Sequence, residues 1–102
     1  MDIVVDEDHK VIAFALYLVG SDQIHLLKIA VKVSARKQGL GLCLLDDKYE
    51  NIDPMVTSCY LEVEAQNSKA IGLYTKNGFE IVHRAERYYS DGSDAIKMIS
   101  IR

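Results

Sequence analysis

Gly39 and Gly41, separated by one leucine, stand where an alternating β-branched run (Ile29 to Val33) gives way to an apolar helical pattern. A helix start leaves backbone N–H groups without intrahelical acceptors, and the aligned peptide dipoles add partial positive charge there. Glycines remove the Cβ atoms that would hold an anionic ligand away, so the residues from Arg36 to Leu42 read as a seat for phosphate. An ordinary glycine-containing turn would look the same from these residues alone. Further along, Glu62 and Glu64 share one face of a strand pattern, a spacing that by itself describes solvated glutamates. Tyr74 falls in a short helical pattern, where it could equally fill the core. His9, His25 and His83 have no ligand spacing, and no metal is expected.

The elements that must position these groups follow in order. Met1 to Val5 and Val11 to Val19 form a β-hairpin pattern around Asp6 to Lys10. Val11 to Val19 is apolar on both alternating faces, which predicts a central strand covered on both sides. After the turn signal Gly20-Ser21-Asp22, Ile24 to Val33 is the next strand, and a helix is expected from about Arg36 to Glu50. Pro54 cannot continue a helix. Val56 to Glu64 reads as a strand with Tyr60, Glu62 and Glu64 on one face and Leu61 and Val63 on the other. Asn67-Ser68 offers an N-cap for a helix over 69–76, closed by Asn77-Gly78. Gly72 inside that helix implies packing that holds it. Phe79 to His83 and Ala95 to Ile101 complete the pattern, joined by a polar loop from Arg84 to Asp94.

The order ββ-β-α-β-α-β-β implies an α/β chain with a mixed sheet, and the 102 residues make a single domain spanning 1–102. A 49% hydrophobic, 26% charged composition is that of a globular protein. Net charge −3 offers no general attraction to nucleic acid or an anionic membrane. The longest apolar run, Val11 to Val19, is too short for a membrane span. An acidic start (Asp2, Asp6, Glu7, Asp8) argues against a secretory signal. Cys43 and Cys59, both in apolar contexts and outside any CxxC motif, read as buried reduced thiols, and the cytoplasm is the expected compartment.

Gly-x-Gly lacks the third glycine of a dinucleotide fingerprint, since Leu44 stands there, and it lacks the Gly-Lys-Ser/Thr of a P-loop. Arg36-Lys37-Gln38-Gly39-Leu40-Gly41 instead resembles the Arg/Gln-x-x-Gly-x-Gly/Ala coenzyme A signature of the GNAT N-acetyltransferase superfamily. The block Leu61-Glu62-Val63 through Asn67, Ala70-Ile71, Leu73-Tyr74 and Gly78-Phe79 resembles the signature of its RimI-type protein N-terminal (ribosomal-protein alanine) acetyltransferases. Tyr88-Tyr89, Asp91-Gly92-Ser93-Asp94-Ala95 and Met98 are similar to the tail of the same subgroup. With Leu27 to Val31, the likeness covers the chain from about residue 11 onward.

The resemblance implies a mostly antiparallel GNAT sheet with flanking helices, and transfer of acetyl from acetyl-CoA to an amine, foremost a protein or peptide α-amino terminus. Acetylation of a small amine or lysine, or a catalytically weak acetyl-CoA-binding module, would use the same cofactor residues. It assigns cofactor contacts to Ile29, Ala30 and Val31 (pantetheine, through backbone), to Lys37, Gln38, Gly39, Leu40, Gly41 and Leu42 (pyrophosphate), and to Asn67. It makes Glu62 the general base, with Glu64 as runner-up, and Tyr74 the general acid; Tyr88 and Tyr89 line the acceptor groove. The strand and two helices that open the family fold have no counterpart ahead of Met1. Their absence leaves apolar sheet edge at Met1 to Val5 and predicts a homodimer covering it.

Overall fold

The computed structural model describes residues 2–5, 10–32, 34 and 39–102. Its elements are β1 (Asp2–Val5), β2 (Val11–Val19), β3 (Gln23–Val31), α1 (Leu40–Asp46), β4 (Ser58–Glu64), α2 (Ser68–Lys76), β5 (Glu80–Ala85) and β6 (Ala95–Ile101). One six-stranded sheet has the order β1-β2-β3-β4-β6-β5. Every ladder is antiparallel except β3–β4, which is parallel and is crossed over by α1. The mixed, mostly antiparallel sheet expected from the sequence is therefore present, with the elements in the expected order.

The β3–β4 ladder is short. It joins Gln23 to Ser58, Ile24 to Cys59 and His25 to Tyr60. Just beyond it, Tyr17 on β2 opposes Leu26 while Leu16 opposes Lys28, so Leu27 is an extra residue in β3. Such a bulge bends its strand and increases local twist. Here it turns the second half of β3 away from β4, and the sheet splays from residue 26 onward.

Both helices bury side chains in one cluster with a single face of the sheet. Leu44 and Leu45 of α1 and Tyr74 of α2 pack with Ala13, Ala15, Ile24, Leu26, Leu61 and Met98. The other face of β2 carries Leu16 and Leu18, which are exposed. The two-sided cover expected for Val11 to Val19 is thus corrected: its alternation marks one buried face and one open apolar face, because no helix lies across the second face among the described residues.

Helix α1 is also shorter than the 36–50 pattern suggested. Arg36, its expected start, lies outside the described residues, and its regular part stops at Asp46. Asp46 and Asp47 place negative charge at the negative end of the helix dipole, which disfavours continuation. Lys48 then folds inward, 7% exposed, and its Nζ donates to the Leu45 carbonyl at 3.2 Å and to Asn77 Oδ1 at 2.7 Å. Asn77 is the C-cap of α2 and donates in turn to Asp46. The C-terminal ends of the two helices are fastened together by this chain of polar contacts. Burial pulls the Lys48 ammonium below its ordinary value, with the Cys59 and Asp46 charges opposing.

Two further expectations change. Gly72 is not held by packing: a Cβ there would meet nothing within 4 Å. Gly72→Ala is therefore expected to raise stability by about 1 kcal/mol, read as a melting temperature higher by roughly 4–8 °C. Cys43 is exposed on the short helix, whereas Cys59 is fully buried, and both are free. Burial pushes the Cys59 thiol up to about 11. A thiol reagent at pH 8 should label Cys43 promptly and reach Cys59 only after denaturant is added, because a buried, protonated thiol is a poor nucleophile.

Candidate active site

The splay between β3 and β4 opens a cleft of about 620 Å³ lined by Ile29, Ala30, Val31, Gly41, Asn67 and Tyr74, with Lys69, Ala70 and Leu73. Six residues singled out in the sequence are brought together there from β3, α1 and α2 with its N-cap. Bending of β3 removes Ile29 to Val31 from the β4 ladder, so this stretch of strand borders the cleft.

At the α1 end, Gly39 has φ +74° and caps the helix without a side-chain hydrogen bond. A left-handed φ costs other residues roughly 1–2 kcal/mol, and a Cβ at Gly39 would project into open space. The first bond inside α1 is Cys43 N–H to the Gly39 carbonyl at 3.0 Å. The N–H groups of Leu40, Gly41 and Leu42 thus precede the intrahelical series, as at any helix start. Gly41 serves packing as well, since a Cβ there would lie 3.2 Å from the Leu73 side chain. Lys37 and Gln38, assigned to the same seat by resemblance, lie outside the described residues.

At the α2 end, Asn67 is the N-cap, its Oδ1 accepting from Ala70 N–H at 3.2 Å. Capping accounts for the asparagine, which also lines the cleft. Tyr74 is 8% exposed and meets Phe79 edge-on at 5.8 Å between ring centroids. Burial raises its phenol above the ordinary value of 10. Lys69, Ala70 and Leu73 are cleft residues that sequence reasoning missed. Ala70, Leu73 and Tyr74 are spaced three and four apart on one helix face, which is the signal that marks them.

Glu62 does not line this cleft. It lies with Tyr88 in a second one of about 280 Å³, together with His83, Ala85, Ala95 and Lys97. Glu62 alternates outward from buried Leu61 and Val63, as its strand pattern requires. The Tyr88 hydroxyl donates a hydrogen bond to Glu62 Oε2. That carboxylate holds the Tyr88 phenol above its usual range, first through the hydrogen bond and then through its charge. Tyr89 stacks edge-on against Tyr88 at 5.1 Å, and its phenol is raised by burial and by the charges of Glu62 and Glu64.

Asp94 braces the loop that carries both tyrosines. Its Oδ1 accepts from Arg87 N–H at 3.0 Å, its Oδ2 meets Arg84 at 2.7 Å, and its carbonyl accepts from Ala65 N–H at 2.9 Å. The Arg87 N–H and the Arg84 guanidinium hold the Asp94 carboxyl below its ordinary value. The brace therefore holds through the neutral range and weakens only as pH falls through that lowered value. Arg87 itself takes φ +51°, so the loop turns sharply just before Tyr88.

Residues 3–81 match the family model described as the acetyltransferase (GNAT) domain. An N-alpha-acetyltransferase of Sulfurisphaera tokodaii is 40% identical over 76 residues, covering 72% of this chain and 46% of that protein. The ribosomal protein bS18 alanine N-acetyltransferase of Escherichia coli is 38% identical over 96 residues, covering 90% of this chain and 65% of that protein. The crystal structure of the ribosomal-protein-S18-alanine N-acetyltransferase from Escherichia coli matches with a TM-score of 0.82 at 36% identity, over 94% of this chain and 64% of that one. The chain thus spans between about half and two thirds of the length of the curated relatives it matches. A match whose span, residues 3–81, takes in the splayed strands, the glycine turn and the helix bearing Tyr74 means that the chain belongs to the acetyltransferase (GNAT) domain family.

Proposed function

We propose that this chain transfers an acetyl group from acetyl-CoA to an amine, the α-amino terminus of a protein or peptide foremost. The observation that carries the reading is the cleft at the splay, bordered at once by a strand that has left its ladder, a left-handed glycine turn and a buried tyrosine. Those features fit an extended thioester arm ending in phosphates. Strand backbone at Ile29, Ala30 and Val31 can hydrogen-bond an extended chain as an added strand would. The turn from Gly39 to Leu42 offers N–H groups with no Cβ at Gly39 or Gly41 to bar an anion. Lys69 adds a positive charge at the cleft.

Acetyl-CoA supplies the activated acetyl thioester when bound. Tyr74 holds a proton for the departing sulfur, and its raised pKa keeps it protonated across the neutral range. A thiolate of conjugate-acid pKa near 8.5 draws that proton only across a short hydrogen bond. Glu62 accepts the ammonium proton, directly or through one water. Tyr88 fixes one oxygen of that carboxylate, and Tyr88 and Tyr89 flank the approach of the acceptor.

The edge position of β1, with Ile3 and Val5 exposed, supports a homodimer that covers this edge, and we place the protein in the cytoplasm. No helix among the described residues is long and apolar enough to cross a membrane.

The test is a thermal-shift titration with acetyl-CoA beside thiol release with a panel of short peptides and small amines. Stabilisation with peptide-dependent thiol release is the expected result. No stabilisation at millimolar acetyl-CoA would overturn the reading, and release driven only by small amines would replace its substrate class.

A further inference from the structure

The cleft around Glu62 has a charge pattern set by strand register. Glu62 on β4 lies directly opposite Lys97 on β6, and Lys97 lies directly opposite His83 on β5. Glu62, Lys97 and His83 therefore hold one row of backbone positions across three strands, about 4.8 Å from strand to strand, and all three line the cleft. The adjacent row holds Glu64, Ala95 and Ala85. Its two methyl side chains leave the depth that makes a cleft of the surface.

Lys97 faces Glu62 across the β4–β6 ladder. Among the described residues the two form no ion pair, and the Lys97 Nζ instead sits 4.7 Å from the centroid of the Tyr60 ring. Tyr60 is stacked on its other flank by His25, with centroids 4.2 Å apart and planes 14° from parallel. A cation held over an aromatic face keeps N–H donors for an incoming acceptor. Glu62 is engaged by Tyr88. An amine presented to Glu62 would thus share its cleft with the Lys97 ammonium.

We infer that Lys97 is a specificity-determining residue that selects acceptors whose first residue carries a carboxylate, aspartate or glutamate, over their amide counterparts. This rests on the acetyl-transfer reading above. Because Lys97 and Glu62 line the same cleft, the side-chain carboxylate of such a residue comes within reach of the ammonium while its α-amino group faces Glu62. The same ammonium repels acceptors that begin with lysine or arginine.

Paired peptides beginning with Asp or Asn, and with Glu or Gln, test the inference by the ratio of kcat/KM within each pair. The native protein is expected to favour the acid about fivefold, the span of a partly exposed ion pair, and less at high salt. Lys97→Met should bring the ratio near one, Lys97→Arg should retain it, and Lys97→Glu should invert it. The ratio of Kd values for the same pairs, measured with coenzyme A present, gives the same answer without turnover. An acid-to-amide ratio near one in the native protein, or an unchanged ratio in Lys97→Met, overturns the inference while leaving acetyl transfer intact. Failure of acetyl-CoA and of every peptide to bind overturns both.

Discussion

Tyr74→Phe is expected to lower turnover about 100-fold, at the lower end of what a positioned general acid contributes, while affinity for acetyl-CoA changes little. The phenylalanine keeps the ring that meets Phe79 and lines the cleft, so only the proton is removed. Because burial raises the phenol above 10, Tyr74 stays protonated through the working range. The native protein should then show no alkaline loss of kcat assignable to this group below about pH 10. Single-turnover thiol release beside a binding titration checks both statements. Unchanged turnover would remove Tyr74 as the acid, and a large rise in Kd would make it a binding group instead.

Glu62→Gln should cost a comparable factor near neutrality, with a diagnostic pH dependence. Glutamine keeps a carbonyl that can accept from Tyr88, so the loop stays in place while the charge is lost. A peptide α-amino group titrates near 8, and at higher pH it arrives already deprotonated. The deficit of Glu62→Gln is therefore expected to shrink as pH rises from 7 to 9, as the acceptor loses its own proton. A constant deficit across that range would assign Glu62 to positioning. A deficit in Glu64→Gln but not in Glu62→Gln would transfer the role to its neighbour.

Alternation in Ser58 to Glu64 was enough to put Glu62 on the outward face, because a strand has one geometry and a period of two. Asn67 and Gly78 bounded α2 correctly for an equally local reason, a side-chain cap at one end and a left-handed glycine at the other, φ +91°. What local pattern leaves open is which faces meet. The run Val11 to Val19 is apolar on both sides in sequence, yet only Ala13 and Ala15 are buried in it, since cover depends on where distant helices pack. The bulge at Leu27 leaves no trace in residue type. Lys97 and His83 join Glu62 only through the registers of two ladders, and nothing in their spacing along the chain announces it.

The splay also divides the molecule mechanically. On one side β1, β2 and β3 form a continuous antiparallel unit, and on the other β4, β6 and β5 form a second. Among the described residues the short parallel ladder at Gln23 to His25, extended by the Thr57 N–H to Asp22 carbonyl bond, stitches them in the sheet, with the Lys48–Asn77 clasp beyond it between the helices. Few backbone bonds cross that seam, although one hydrophobic cluster spans it, and local opening proceeds where few backbone bonds must break. A ligand laid along the cleft touches β3 on one bank and α2 on the other. Its binding would make the two units melt as one, so protection from hydrogen exchange should rise in strands the ligand never touches.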